Sequence, residues 1–320
     1  MLTHVDDLFV VGLGATFQSF GRLLTDKFKD IATQLGDTFT YLGMSIRRDR
    51  PARAMTISQR PYIVTMLATF GMTACIPASS PNAQDLLTPD AEATAACDQT
   101  LYLSIVMSLM YLARISRPDV LFPVTYLATK SAKSTVGHLS QVKRILRYLK
   151  GTMNQELRFA GTALDLCLYA DASHGLYADG KGHYGTIAVL GGDEVLKTSH
   201  RMKVVTLSST ESEIVALVDA ATYLRWIVAL LRELGVPVEA PVTLFQDNQS
   251  AIHMVQHGCT WKKTKHMVIR THFARGLIEE GLLRLEYIPT DDMYADYLTK
   301  PYNGRQLIRY SVRAFAQLPQ

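Results

Sequence analysis

Four acidic residues stand at the ends of predicted elements in the second half of the chain. The first follows a strand-like apolar run, and a carboxylate at the carboxyl end of a strand in an α/β sheet lies where ligands and metals are usually bound. Carboxylates that converge can hold two Mg²⁺ ions, which activate a water and stabilise the leaving 3′ oxygen of a phosphodiester. We therefore predict a metal-dependent phosphodiester hydrolase whose catalytic, metal-binding acids are Asp171, Glu211, Asp247 and Asp296.

The elements that must position these acids form an α/β pattern that begins near residue 164. Strands are predicted at 164–171, 183–190 and 194–199, and Gly191-Gly192 between the last two indicates a hairpin. A long amphipathic helix follows. Its predicted capping box pairs Thr210 with Glu213, which makes Glu213 an ordinary cap acid.

The remaining elements complete a mixed sheet. They are a strand at 242–246, a short helix opened by 248–250, a helix at 264–280, a strand at 283–288 and a terminal helix at 294–299. If the first and fourth strands lie side by side, Asp171 and Asp247 come together and Glu211 reaches in from the covering helix. Repulsion among these acids predicts raised pKa values in the absence of a cation.

The first half of the chain contains a second pair of acids, on a predicted hairpin. Asp6 and Asp7 lie between two apolar runs, where adjacent carboxylates can bind a divalent metal. Further elements are predicted in order: a helix at 16–34, a hairpin of strands 39–46 and 54–58, a helix at 60–69, a linker at 74–99, and helices at 102–115, 120–129 and 134–150.

Basic residues form two candidate phosphate-binding surfaces. One lies on the polar face of helix 134–150, and the other lies in 260–278, which contains no acid. A solvated helix face is the alternative for the first surface, and a structural or merely exposed residue is the alternative for a histidine on a helix. The predicted nucleic-acid contacts are Lys143, Arg147, Lys150, Lys262, Lys263, Lys265, Arg270 and His272.

Composition sets broad limits. The chain has 320 residues, a net charge of +4 and four cysteines without a CxxC pair, which argues against a disulfide framework or a zinc site and favours a reducing compartment. The sequence shows neither a signal-peptide pattern nor a long uncharged apolar run. We expect an intracellular protein that is neither secreted nor membrane-bound.

Several motifs resemble the Pol polyprotein of copia-type LTR retrotransposons, in the expected order. They are HVDDLFVVG, FTYLGMSIRRD, LYADASHG, VVTLSSTESEIVAL, LFQDNQSAI and LEYIPTDDMYADYLTKP. The resemblance implies a partial reverse-transcriptase palm (1–73), the linker (74–99), a helical thumb or connection (100–152), a ribonuclease H-like α/β domain with a mixed five-stranded sheet (160–302) and a C-terminal tail (303–320).

The resemblance also implies an activity. The expected function is endonucleolytic cleavage of the RNA strand of RNA/DNA hybrids with two Mg²⁺ ions, for which Mn²⁺ can substitute. Hybrid recognition would use the 2′-hydroxyl and the minor-groove shape. Polymerisation is not expected, because the strand that bears the other metal-binding Asp would precede Met1 and the Asp6–Asp7 metal site is incomplete. The resemblance implies the missing polymerase part as a partner, and the cytoplasm, a virus-like particle or the nucleus as the location.

Two alternatives stay open at this point. A non-catalytic nucleic-acid-binding relic would keep the fold without activity. An integrase or junction resolvase fits less well, since no zinc-binding HHCC segment precedes the sheet. The sequence leaves the oligomeric state, the cleavage preference and the role of His272 open.

Overall fold

The computed structural model describes residues 1–12, 14–28, 31–83, 85–88, 95–161, 163–258, 267–303 and 307. Its strands are β1 (Leu2–His4), β2 (Asp7–Phe9), β3 (Thr38–Tyr41), β4 (Met44–Asp49), β5 (Ala54–Ser58), β6 (Leu157–Phe159), β7 (Leu166–Ser173), β8 (Lys181–Leu190), β9 (Asp193–Val205), β10 (Val242–Gln246) and β11 (Leu283–Tyr287). Its α-helices are α1 (Gly14–Phe28), α2 (Arg60–Thr69), α3 (Gln99–Ile115), α4 (Leu121–Ala128), α5 (Val136–Gly151), α6 (Ser209–Glu233), α7 (Gln249–His257) and α8 (Val268–Glu279).

The central sheet has five strands in the order β11-β10-β7-β8-β9. Strand β10 runs parallel to β7 and to β11, whereas β7, β8 and β9 are antiparallel neighbours. The predicted mixed sheet is therefore confirmed, as is the adjacency of its first and fourth strands. Because parallel strands end at the same edge, the carboxyl ends of β7 and β10 lie together.

Helix α6 covers one face of this sheet. Its apolar residues pack on Leu168 and Ala170 of β7, and α8 lies on the same side. By length and composition α6 would pass as a membrane span, but half of that apolar window is buried inside the protein, as in the core helix of a globular domain.

The other face is covered by the helices of the middle segment. Buried residues of α3, α4 and α5 form one hydrophobic cluster with Tyr169 of β7 and Ile187 of β8, and Leu298 of a 3₁₀ turn at Tyr294–Leu298 joins the same cluster. Alternation along β7 explains this division, since successive side chains point to opposite faces. The segment 100–152 thus supplies the second layer of the sheet.

The predicted strand 39–46 is wrong in one respect, because the structure divides it into β3 and β4. Leu42 and Gly43 between them both have positive φ, 47° and 72°, and form a tight hairpin turn. These strands continue through β5 to β6 in a separate four-stranded sheet. Helix α1 ends at Phe28 within the described residues and has no buried side chain, so its apolar positions do not mark a core face.

Candidate active site

Three carboxylates from three elements meet at the edge of the central sheet. Asp171 lies near the end of β7, Asp247 directly follows β10, and Glu213 comes from the second turn of α6. One carboxylate oxygen of each lies within 4.8 Å of the others. Asp171 and Glu213 are buried, with exposed fractions of 1% and 6%, and Asp247 is half-buried.

Glu213 replaces Glu211 in this cluster, which corrects the sequence-based assignment. Ser208, not Thr210, caps α6, and its hydroxyl accepts a hydrogen bond from the Glu211 backbone N–H at 3.2 Å. The Glu211 carboxylate turns back and accepts from the backbone N–H of Leu207 at 2.8 Å. Two residues along a helix rotate a side chain by about 200°, so when Glu211 faces the cap, Glu213 faces the sheet.

The sequence carried a signal for this outcome. The segment Ser208-Ser209-Thr210-Glu211-Ser212-Glu213 contains two overlapping capping frames, Ser208 with Glu211 and Thr210 with Glu213. Choosing the second frame assigned the wrong acid to the cap. Glu213 also shares its helix face with Ala216, Leu217 and Ala220 (i+3, i+4 and i+7), which pack on the sheet.

The electrostatics of the cluster agree with the predicted repulsion. Burial and the neighbouring Asp296 carboxylate raise the pKa of Asp171 to about 7. Burial, then Asp171 and Asp247, raise the pKa of Glu213 well above its usual range. Without a cation, Asp171 and Glu213 therefore stay protonated at pH values at which an exposed carboxyl group is ionised.

The donor set fits a hard divalent cation. All three ligands are carboxylates, and Glu213 Oε2 is buried with no hydrogen-bond partner among the described residues. An unpaired buried carboxylate oxygen is costly unless a cation or donor reaches it. Mg²⁺ prefers oxygen ligands and keeps several waters, so a few carboxylates at one open edge suffice.

Asp296, the fourth predicted acid, lies beside Asp171 but outside the three-carboxylate cluster. It is on the 3₁₀ turn Tyr294–Leu298, is 1% exposed, and its carboxylate accepts from the Lys300 ammonium and the Tyr302 hydroxyl. Thr299 connects the two acids, because its hydroxyl lies against the Asp171 carboxylate and 3.0 Å from the Asp296 carbonyl oxygen.

Gly185 allows this turn to approach the sheet. It pairs with Asp171 across β7 and β8. A Cβ atom placed at Gly185 would lie 2.6 Å from Leu298 Cβ and 3.3 Å from Thr299 Cγ2. The close approach of Leu298 and Thr299, and with it the position of Asp296, therefore requires glycine at this place in β8.

Gln246 is a further site residue that the sequence did not indicate. It is fully buried, and its amide oxygen accepts from the backbone N–H groups of Asp247 and Asn248 at 2.8 and 3.1 Å. Its NH₂ group donates to the Ala170 carbonyl oxygen at 3.3 Å. A hydrogen bond that it donates to the Glu213 carboxylate lowers the pKa of that acid. Gln246 thus links the three elements that carry the carboxylates. On its other side, Asp247 accepts from the Thr290 hydroxyl at 2.8 Å.

The polymerase-like acids lie elsewhere. The predicted hairpin is present as β1 and β2, with His4 opposite Asp7 and with Asp6 in the turn. Both Asp6 and Asp7 are exposed, and among the described residues neither belongs to a group of three or more potential metal ligands.

The structure corrects part of the predicted basic surface on α5. Lys150 donates to the carbonyl oxygens of Thr73 and Cys75 at 2.6 and 2.7 Å, and Arg147 donates to that of Ile76 at 2.7 Å. These cations hold the linker against the helix, because its backbone carbonyls lack partners within regular structure. They are therefore not free phosphate contacts.

Other predicted contacts remain on the surface or fall outside the described residues. Lys143 and His272 are exposed and Arg270 is half-buried, so their contact with nucleic acid stays a prediction. Lys262, Lys263 and Lys265 lie outside the described residues.

Comparison with curated proteins finds three informative relatives, although no protein-family model matches. The chain is 33% identical over 306 residues to the retrovirus-related Pol polyprotein from transposon RE1 of Arabidopsis thaliana, covering 94% of this chain and 20% of that protein. It is 31% identical over 319 residues to the corresponding polyprotein from transposon TNT 1-94 of Nicotiana tabacum, covering 97% and 24%. A putative transposon Ty5-1 protein of Saccharomyces cerevisiae is 30% identical over 219 residues, covering 66% and 68%.

Solved structures give lower overall similarity. The N-terminal RNase H domain of a Mycobacterium tuberculosis protein matches with 15% identity and a TM-score of 0.33, covering 43% of this chain and 91% of that chain. LC11-RNase H1, solved with an RNA/DNA hybrid, matches with 16% identity and a TM-score of 0.33, covering 42% and 93%. The chain spans between a fifth and a quarter of the length of the two plant polyproteins.

Proposed function

Since the chain belongs to the Pol polyproteins of copia-type retrotransposons, we propose that its second half cleaves the RNA strand of RNA/DNA hybrids in a divalent-metal-dependent reaction. The observation that carries this proposal is the convergence of Asp171, Glu213 and Asp247 within 4.8 Å. The raised pKa values of Asp171 and Glu213 indicate that this convergence is electrostatically unfavourable without a cation. A fold that maintains such a cluster is suited to binding one.

The residues of the chain have separate roles in this proposal. Asp171, Glu213 and Asp247 would hold Mg²⁺, or Mn²⁺ in its place, and Asp296 would contribute from the adjoining turn. The bound metal would polarise the scissile phosphate and lower the pKa of a water. Gln246 and the Thr290 hydroxyl fix the Asp247 side of the site, so that little reorganisation is needed when the substrate binds.

The choice of substrate rests on the family. Hybrid duplexes differ from DNA by the 2′-hydroxyl groups of one strand and from double-stranded RNA by their minor-groove shape. We propose that recognition uses these features together with contacts to phosphates from basic residues such as the exposed Lys143 and the half-buried Arg270.

The test is a cleavage assay with the full chain. Labelled RNA/DNA hybrid, double-stranded RNA and double-stranded DNA are incubated with Mg²⁺, with Mn²⁺ and with chelator. We expect cleavage of the hybrid alone, at internal positions of the RNA strand, and only with metal. Asp247→Asn should abolish it, whereas Glu239→Gln, which alters an exposed acid outside the cluster, should not. Hybrid binding without cleavage in either metal would instead support a non-catalytic relic.

The N-terminal hairpin is not assigned a polymerase activity. Its two exposed acids, Asp6 and Asp7, would need at least one further carboxylate to hold the metal pair of a phosphoryl-transfer site. We propose that these acids take part in polymerisation only when another polypeptide segment supplies that carboxylate.

A further inference from the structure

The carboxylate of Asp296 already has a cationic partner. One oxygen accepts a hydrogen bond from the Lys300 ammonium, four residues along the chain, and the other accepts from the Tyr302 hydroxyl. With 1% of the residue exposed, these contacts occupy the two oxygens that a metal ion would use. Asp296 is thus engaged as an anion by groups of the same chain.

Lys300 lies close to the other acids of the site as well. Its side chain is 37% exposed. Desolvation lowers the pKa of the Lys300 ammonium, but the negative charges of Asp171, Asp296 and Asp247 raise it by more, so the pKa lies above its usual value. The ammonium contacts Asp296, and its charge also favours the ionised form of Asp171. For the same reason it opposes a second cation there, since two positive charges in contact with one carboxylate repel each other at short range.

We propose that the Lys300 ammonium occupies the second cation position of the site in the nucleic-acid-free protein. The free chain then holds one divalent ion, on Asp171, Glu213 and Asp247, and a second ion between Asp171 and Asp296 has to displace Lys300. This inference rests on the proposed function of the same site. A phosphate entering with the substrate would give the displaced ammonium a new anionic partner, so occupancy of the second position becomes coupled to substrate binding.

The experiment measures how many Mn²⁺ ions each chain binds in the absence of nucleic acid. Mn²⁺ is titrated into metal-free full chain, and free Mn²⁺ is followed by electron paramagnetic resonance. We expect one ion per wild-type chain and two for Lys300→Met, with the second dissociation constant lowered by about tenfold or more. Lys300→Arg keeps the cation and should bind one ion. Lys133→Met, at an exposed position in the 3₁₀ turn Ser131–Lys133, is the matched control and should bind one.

Folding and activity are kept separate in this design. Each variant is first melted without metal. If Lys300→Met does not melt cooperatively, Lys300→Gln replaces it, because the glutamine NH₂ can still donate to Asp296, and two ions are again expected. The inference is overturned if wild-type protein takes two ions with affinities similar to those of the variant, or if the neutral variant takes only one. Failure of hybrid cleavage with an unchanged ion count would refute the proposed function but not this inference.

Discussion

Replacing Asp171 with asparagine should stabilise the metal-free protein at neutral and alkaline pH while abolishing cleavage. Asparagine has nearly the same volume as aspartate, and its amide oxygen can still accept the hydrogen bond from the Thr299 hydroxyl that the carboxylate accepts. The substitution therefore removes the charge of a 1%-exposed side chain with little change in packing.

The size of the effect follows from the pKa of Asp171, which burial and Asp296 raise from 3.8 to about 7. Between these values the folded state binds more protons than the unfolded state, so the stability of wild-type protein falls as pH rises from about 4 to about 7. The difference between these two pKa values corresponds to about 4 kcal/mol. Because the neighbouring acids share this energy, we expect the stability advantage of Asp171→Asn over wild type to grow by about 2–4 kcal/mol from about pH 4 to about pH 8.

The assay is urea unfolding of both proteins in chelator across this pH range. Groups whose titration the substitution leaves unchanged contribute equally to the unfolding free energies of both proteins. Their contribution therefore drops out when the two free energies are subtracted. Saturating Mg²⁺ should stabilise wild type and narrow the difference, since the cation offsets the repulsion. If the difference is the same at both ends of the pH range, the carboxylate is not destabilised by its surroundings, and the electrostatic account of the site is refuted.

Three further predictions use the same structure. Glu213→Gln should lower kcat for hybrid cleavage by about a hundredfold or more. Glu211→Gln should instead destabilise α6 by about 1 kcal/mol and leave kcat nearly unchanged. If both variants lost the same factor in kcat, Glu211 would have to be counted as a residue of the site. Gly185→Ala should cost about 1–3 kcal/mol in thermal unfolding and reduce cleavage, because its Cβ would meet Leu298 at 2.6 Å, while Gly276→Ala, with nothing within 4 Å, should be neutral or slightly stabilising. Lys150→Met should lower unfolding free energy by about 1 kcal/mol or more without weakening hybrid binding; a weaker binding constant at unchanged stability would contradict its assignment to the linker.

Local sequence patterns were sufficient for most elements of the second half. Apolar runs bounded by glycine, proline and capping residues have a period that identifies strands and helices without knowledge of their neighbours. The Gly191-Gly192 hairpin, the long helix α6 and the strand that ends before Asp247 all follow from such patterns. The pairing of β7 with β10 was predicted from the order of the strands and helices alone.

The choice between Glu211 and Glu213 shows where local patterns stop. Both residues lie in the same hexapeptide and satisfy a capping frame, so the sequence contains two compatible helix starts. The tertiary structure selects Ser208 as the cap, and the difference of two positions turns the other acid toward the sheet. Boundaries that differ by a residue or two are common in helix prediction, and here such a shift exchanges one site residue for another.

Contacts between segments that are distant in the chain could not be predicted from local sequence patterns. Lys150 and Arg147 form a basic stripe on α5 that is typical of a solvated or phosphate-binding face, yet carbonyl groups of residues 73–76 approach it. Gln246 has no motif of its own, and only its burial among three elements gives it a role.

By itself, therefore, the sequence determined the elements, their order and the acids at the ends of β7 and β10, because these depend on residues close in the chain. The tertiary structure decided which helix acid faces the cluster, that Asp296 is paired with Lys300, and that the helical segment covers the second face of the sheet. Those features depend on which surfaces meet when the chain is compact, and that is fixed by packing over long sequence separations.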